Sequence, residues 1–166
     1  MAAAHRFHTV LLGFLALTPI AHAEDARLGA VPDQRVMNAL GAAKLGYAIQ
    51  GSDFMLDYKV DATRSQRVYV ASETSRLGAL ELRDVWSVAA RGKGKLPPDL
   101  AVRLLTENAR MMLGAWQANQ GDDEYVVVFS APLSADADGD TLKEVIEAVT
   151  LSADRIEKQL SDKDTF

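Results

Sequence analysis

The chain has no cysteine, and its three histidines, His5, His8 and His22, all fall in the first 23 residues. Those residues read as a secretory leader. Arg6 gives a positive start, residues 10–17 are an apolar run, and Pro19 breaks it. Ala21-His22-Ala23 then places small residues at −3 and −1 of a cleavage point before Glu24. The run is too short to span a bilayer, which takes roughly 20 residues. The well-formed cleavage site argues against the alternative, an uncleaved N-terminal anchor. The expected organisation is a signal peptide over 1–23 and a single domain over 24–166, delivered to the periplasm or secreted.

The absences then compound. A mature chain without histidine or cysteine cannot assemble a Ser-His-Asp or Cys-His nucleophile. It also lacks the usual ligands of zinc, copper and haem. Carboxylate chemistry, lysine chemistry and oxygen-ligand metals are what remain, so no cofactor is expected and an enzyme is a poor fit. Export leads to a compartment that permits disulfides, yet none can form. Stability must come from a packed core, and a chain of this length can bury one. The leader removes Arg6 and no acid, so the mature chain is one unit more negative than the −5 of the whole. That charge disfavours nucleic acid, whose phosphates reward clustered Lys and Arg. No later stretch is long and apolar enough to span a membrane, so no membrane association is expected after cleavage.

What is present is a patterned globular sequence. Asp33 follows Pro32 as a candidate N-cap, and Val36, Met37, Leu40 and Ala43 then mark one helical face. The period changes to two over 54–60, where Phe54, Leu56, Tyr58 and Val60 alternate with Met55, Asp57 and Lys59. A second strand is expected over 67–71 (RVYVA) and a third over 80–90 (LELRDVWSVAA), with Leu80 and Leu82 facing inward. Short connections make an antiparallel meander the natural pairing. After the basic loop "RGKGK", Pro97-Pro98-Asp99 opens a helix expected to continue to about Gln120. Its stripe is Leu100, Leu104, Asn108, Met111 and Ala115, widened by Ala101, Leu105, Met112 and Trp116. Strand "YVVVF" over 125–129 is apolar on both faces, as in a sheet interior. A last helix over 141–160 carries Leu142, Val145, Ile146, Val149, Ala153, Ile156 and Leu160 on one face. The order α-β-β-β-α-β-α, with strands grouped together, predicts an α+β fold: an antiparallel sheet packed by helices.

Several stretches together resemble the YbjN-like family, whose fold is akin to the class I type III secretion chaperones. They are "GSDFMLDYKV" opening the sheet, Trp86 late in the third strand, "LLTENARMMLGAWQ" followed at once by "EYVVVFSAPL", and "VTLSADRIEKQL" in the last helix. The resemblance covers about residues 33–160. It implies a sheet with helices packed against it, frequent homodimers, and a binding or regulatory role without known catalysis. The type III chaperones act in the cytosol, and an exported chain does not share that post.

Candidate sites are few. In "SADADGDTLKEVIE", Asp136, Asp138, Asp140, Glu144 and Glu147 fit positions 1, 3, 5, 9 and 12 of a calcium loop. Position 6, which needs glycine for the bend, is Thr141, and no entering helix precedes Asp136. The competing reading is a helix start, with Thr141-Leu-Lys-Glu144 as a capping box and the aspartates near the positive helix end. "GKGK" over 92–95 lacks the spacing of a phosphate loop and reads as a connector. Met111, Met112 and Trp116 suit core positions better than a partner groove, and Asn108 on the same stripe suits a structural hydrogen bond to a loop backbone. Met55, Tyr69 and Val85 are the expected outward positions of the sheet, where a protein partner or a second copy of the chain could bind, or at an edge strand. The overall reading is an exported, non-enzymatic binding or regulatory module. The alternatives are an envelope stress-related regulatory factor and a weak calcium-binding protein.

Overall fold

The computed structural model describes residues 31–161 and 164–166. The expected signal peptide over 1–23 and residues 24–30 lie outside them. The fold is α+β, as the strand grouping predicts. Among the described residues the order is α1 (Gln34–Ala42), β1 (Ala48–Gln50), β2 (Asp53–Lys59), β3 (Ser65–Val70), β4 (Ser75–Leu77), β5 (Leu80–Lys93), α2 (Pro98–Asn108), β6 (Ala115–Gln120), β7 (Glu124–Ser134) and α3 (Gly139–Leu160). The strands form an antiparallel seven-stranded sheet in the order β1-β2-β3-β5-β7-β6, with β4 also paired to β5.

The core lies on one face of this sheet. Helix α3 crosses β3, β5 and β7, and α1 packs against α3. Most of the helical stripe read from the sequence is buried: Leu142, Val145, Ile146, Val149, Ala153 and Ile156 all lose their solvent, while Leu160 at the helix end stays exposed. They meet Phe54, Leu56, Val68, Val70, Val85, Val127 and Phe129 from the strands. Burial of this apolar surface is the main favourable term available to a chain without disulfides.

Local chemistry explains the element ends. Asp33 caps α1 by accepting from the Arg35 N–H at 2.8 Å. Asp138 caps α3 by accepting from the Thr141 N–H at 2.8 Å. The expected box beginning at Thr141 is therefore displaced by three residues: Thr141 is capped, not capping. Asp61 folds the β2–β3 turn by accepting from the N–H groups of Thr63 and Arg64. In β5 the register shifts between Val88 and Ala90, as a β-bulge does. The buried Gln66 amide donates to the freed Val88 carbonyl at 2.7 Å and to Ser87 Oγ at 3.0 Å.

Two expectations are corrected. The helix beginning at Pro98 stops at Asn108, and residues 115–120 are strand β6. Gly114 makes the break: its φ is +79°, and a Cβ there would sit 2.7 Å from the Ser130 carbonyl oxygen. Only glycine fits both conditions. Trp116 is still a core residue, but it packs from a strand, edge to face with Phe129. The second correction is the phase of β5. Leu80 and Leu82 lie on the side away from the helices, while Arg83, Val85 and Ser87 are buried. Val85, expected outward, is fully enclosed in the core.

Asn108 covers the exposed edge of β6 at Trp116. Its carboxamide accepts from the Trp116 N–H at 2.7 Å and donates to the Trp116 carbonyl at 3.2 Å. It occupies the outward backbone groups that a foreign strand would otherwise engage. The bond joins α2 to a strand backbone, not to a loop. Asn108→Ala should cost about 1–3 kcal/mol, the price of leaving such groups unmatched. Urea denaturation of the two proteins measures it; a change within about 0.5 kcal/mol, typical of surface substitutions, would remove this role from Asn108.

Candidate functional site

Among the described residues, α1 and α3 cover one face of the sheet, and no helix covers the other, open face. Side chains of consecutive strand residues alternate between the two. Register pairs trace one transverse row across the open face: Ala48, Met55, Tyr69, Trp86, Ser130 and Ala115. The row is bulky at Met55, Tyr69 and Trp86 and small beyond them, at Ser130 and Ala115. Tyr69 and Trp86 stack with centroids 4.2 Å apart and planes 13° from parallel, a cross-strand aromatic pair that supports itself.

Beyond Trp86 the row drops to Ser130 and Ala115, and a groove of about 820 Å³ opens. Trp86, Val128 and Ser130 form its floor and Gln117 and Asn119 of β6 its far wall. The loop 71–75 and Asp84 form its other end, together with Asp53. Met55 and Tyr69 do share the open face, as the alternation predicts, but neither lines the groove. Trp86 is the central residue that alternation missed. Taking Leu80 and Leu82 as inward placed Trp86 inward with them and turned Val85 out. The signal available was polarity: Arg83 and Ser87 share the phase of Val85, which made that phase look exposed.

The groove rim is held from behind by a charged network. Arg83, whose side chain is only 2% exposed, pairs with Asp33 at 2.7 Å. It also donates to the carbonyls of Ala71 and Ala135 at 2.8 and 3.2 Å. Arg35 pairs with Asp33 and Glu81, each at 2.8 Å, and with Asp136 at 3.0 Å. Ser72, on the rim, donates to the Ser52 carbonyl, and its N–H donates to Asp53 at 3.0 Å. The Arg35 guanidinium, and then Arg83, hold the Asp33 carboxyl far below the usual carboxylate range. Arg35 and Thr74 lower Glu81 in the same way.

The calcium candidates do not converge. Asp136 is in the Arg35 network, Asp138 is the cap of α3, and Asp140 lies exposed in the first helical turn. Glu147 lies further along α3 beside Tyr58, whose phenol is pushed up by burial and by that carboxylate. Among the described residues, the trio of carboxylates whose oxygens lie within 4.8 Å of one another is Asp154, Glu157 and Asp164. Arg64 already sits among them, 3.2 Å from Glu157 and 3.6 Å from Asp164. That guanidinium supplies the positive charge a cation would bring. Burial pushes the Glu157 carboxyl up, which is the cost of holding it there. Gly92 of "GKGK" continues β5 and lies under the Tyr125 ring, where a Cβ would stand 2.5 Å from the phenol.

Elsewhere, α2 and the turn after it expose Val102, Leu105, Met112 and Leu113, with Met111 half-buried against the core. Among the described residues no helix is long and apolar enough to cross a membrane. Comparison of the chain with protein-family models, with curated proteins and with solved structures returned no match.

Two measurements follow from this geometry. Asp33 ionises more easily folded than unfolded, so its contribution to stability is full above the ordinary aspartate pKa of about 3.9 and is lost as pH falls below it. Glu157 is shifted the other way and opposes that trend. Asn keeps the helix cap, so Asp33→Asn should flatten the loss of stability between about pH 5 and pH 3. Denaturant midpoints across that range, parallel in both proteins, would show that Asp33 does not carry the acid sensitivity. Millimolar calcium should leave the melting temperature unmoved; a rise that disappears in Asp138→Asn would restore a calcium site at the α3 start.

Proposed function

We propose that this chain is an exported, non-enzymatic binding module that receives a protein partner on the open face of its sheet. The sequence stretches that resemble the YbjN-like family imply a binding or regulatory role, which agrees with this reading. The observation that carries it is the distribution of side chains on β5. The face against the helices carries Arg83, Val85, Ser87 and Ala89, while the face away from them carries Leu82, Trp86 and Val88. A strand that turns a tryptophan and its bulkier aliphatics away from the core spends apolar surface where it stabilises the fold least. Such placement marks a surface shaped for contact.

The chemistry of the groove agrees. Its described lining holds carboxylates, carboxamides, hydroxyls and a tryptophan, and no lysine. The chain has no cysteine and its histidines stand at positions 5, 8 and 22, so the groove offers neither a histidine-activated nucleophile nor an imidazole proton shuttle near neutrality.

The absence of cysteine gives a clean background for site-directed crosslinking. Asn119→Cys places a reactive thiol in the groove wall, and Lys143→Cys places one on the outer, solvent-facing side of α3. With a thiol-directed photo-crosslinker in the cell envelope, Asn119→Cys should give a discrete adduct that Lys143→Cys does not. Equal adducts from both positions, or none from the groove, would refute the open face as the binding surface.

A further inference from the structure

The geometry points to the groove beside Trp86 as a receptor for an arginine-bearing, extended segment of a protein partner. This rests on the open face being the binding surface and goes further by naming the chemistry that it recognises.

Charge is the first ground. Among the described residues the groove is bordered by the carboxylates of Asp53, Glu73 and Asp84 and by one cation, Arg83. Arg83 is buried and its charge is matched by Asp33. Among the described residues no cation pairs with Asp53, Glu73 or Asp84. Asp53 accepts hydrogen bonds from Ser72 and Ser52, whereas the Glu73 and Asp84 carboxylates accept none. A narrow cleft with uncompensated negative charge concentrates cations.

The second ground is the aromatic wall. Tyr69 covers one face of Trp86 but does not itself line the groove. Trp86 does line it, and so does Ser130, its neighbour on the opposite side. The indole thus borders the space beside the small residues, backed and oriented by the tyrosine. Asp84 lies two residues earlier on the same strand and the same face, about 7 Å away. A planar guanidinium can lie over the indole and direct its N–H fork at that carboxylate. An ammonium offers neither the plane nor the fork, so arginine fits better than lysine.

The third ground argues for a peptide over a small cation. Gln117 and Asn119 stand two residues apart on β6, facing the same groove, and neither carboxamide is engaged by the protein. A carboxamide both donates and accepts, as a backbone amide requires. Two of them at the repeat of an extended strand match alternate peptide units of a chain lying along the groove. The Asp84–Trp86 pair on β5 has the same repeat but stands one level earlier, Trp86 opposite Ser130 and Gln117 opposite Val128, so an extended segment meets the side-chain site first and the carboxamides as it continues along the groove.

The test uses the mature protein and three acetylated, amidated hexapeptides in which arginine, lysine or glutamate alternates with serine, plus free arginine amide. Binding is followed by titration calorimetry at about 20 mM and about 150 mM salt. The arginine peptide should bind, the lysine peptide about fivefold more weakly, and the glutamate peptide not at all. Free arginine amide should bind more weakly still, because it lacks the backbone contacts. Asp84→Asn, an exposed change that leaves the core alone, should weaken the arginine peptide about tenfold and reduce its salt dependence. The proposal is overturned by equal binding of arginine and glutamate peptides, by an Asp84→Asn protein that binds unchanged, or by free arginine amide binding as tightly as the peptide. Sedimentation showing a dimer that the arginine peptide does not dissociate would assign the face to a second copy instead. Crosslinking through Asn119→Cys with no arginine-peptide binding sinks this inference alone; loss of both sinks the binding-face reading as well.

Discussion

Arg83 is the buried charge around which one end of the molecule is organised. A guanidinium on the covered face of a central strand is costly unless charge and hydrogen bonds surround it. Here Asp33 supplies the charge, and the carbonyls of Ala71, Ser72 and Ala135 accept its remaining N–H groups. Those partners come from the start of α1, from the loop after β3, and from the turn between β7 and α3. The single side chain therefore fixes where α1 begins, where the chain leaves the sheet for α3, and where the loop 71–75 stands. That loop is the rim of the groove. The pairing is better understood as positional than as a net gain in stability, since buried pairs roughly balance attraction against desolvation.

The same arrangement explains why part of the fold was legible in the sequence and part was not. Helix α3 was readable because its stripe packs directly on the sheet, so local period and tertiary environment agree. Strands β2 and β7 were readable for the same reason. Strand β5 was located correctly but misphased. Its covered face contains Arg83 and Ser87, which are satisfied only by partners distant in sequence: Asp33 lies 50 residues away. Its open face contains Leu82 and Trp86, which satisfy nothing in the core. A hydrophobic pattern assumes that apolar residues face inward, and the assumption fails where a protein reserves them for contact. Trp86 was thus visible as a residue and invisible as a site.

Residues 109–120 failed for a different reason. "ARMMLGAWQ" continues the helical spacing of α2, and periodicity alone cannot end the helix there. The termination is tertiary: Gly114 takes a left-handed conformation against the Ser130 carbonyl, and Asn108 claims the backbone of Trp116. The expected structural role of Asn108 was correct in kind because a polar residue on an apolar stripe must find partners. The nature of the partner, an edge strand, required the strand to be known. The acidic stretch 136–140 shows the complementary case. Its spacing imitates a calcium loop, but each carboxylate answers a local demand: Asp136 the Arg35 guanidinium, Asp138 the α3 N-terminus, and Asp140 the helix dipole.

The two edges and the two faces of the sheet are consequently unequal. Asn108 blocks β6 at Trp116, and β1 at the other edge is only three residues long. Both devices discourage strand addition. The covered face is filled by α1 and α3. What is left is the open face, where the Tyr69–Trp86 stack ends abruptly at Ser130 and leaves room beside an aromatic ring. Were this face simply a solvated surface, polar residues would serve at Trp86 and Val88, as they do at Gln117 and Asn119. Instead the large aromatic stands next to carboxylates without partners, on a strand locked in phase by the bulge at Val88 and the Gln66 amide beneath it. Edges that are short at β1 and blocked at Trp116 of β6, and a face built of one aromatic wall, one acidic rim and two unengaged carboxamides, together favour recognition by side chains over recognition by β-augmentation. Specificity in such a site resides in the planar cation and its spacing along the partner, not in the partner's backbone alone.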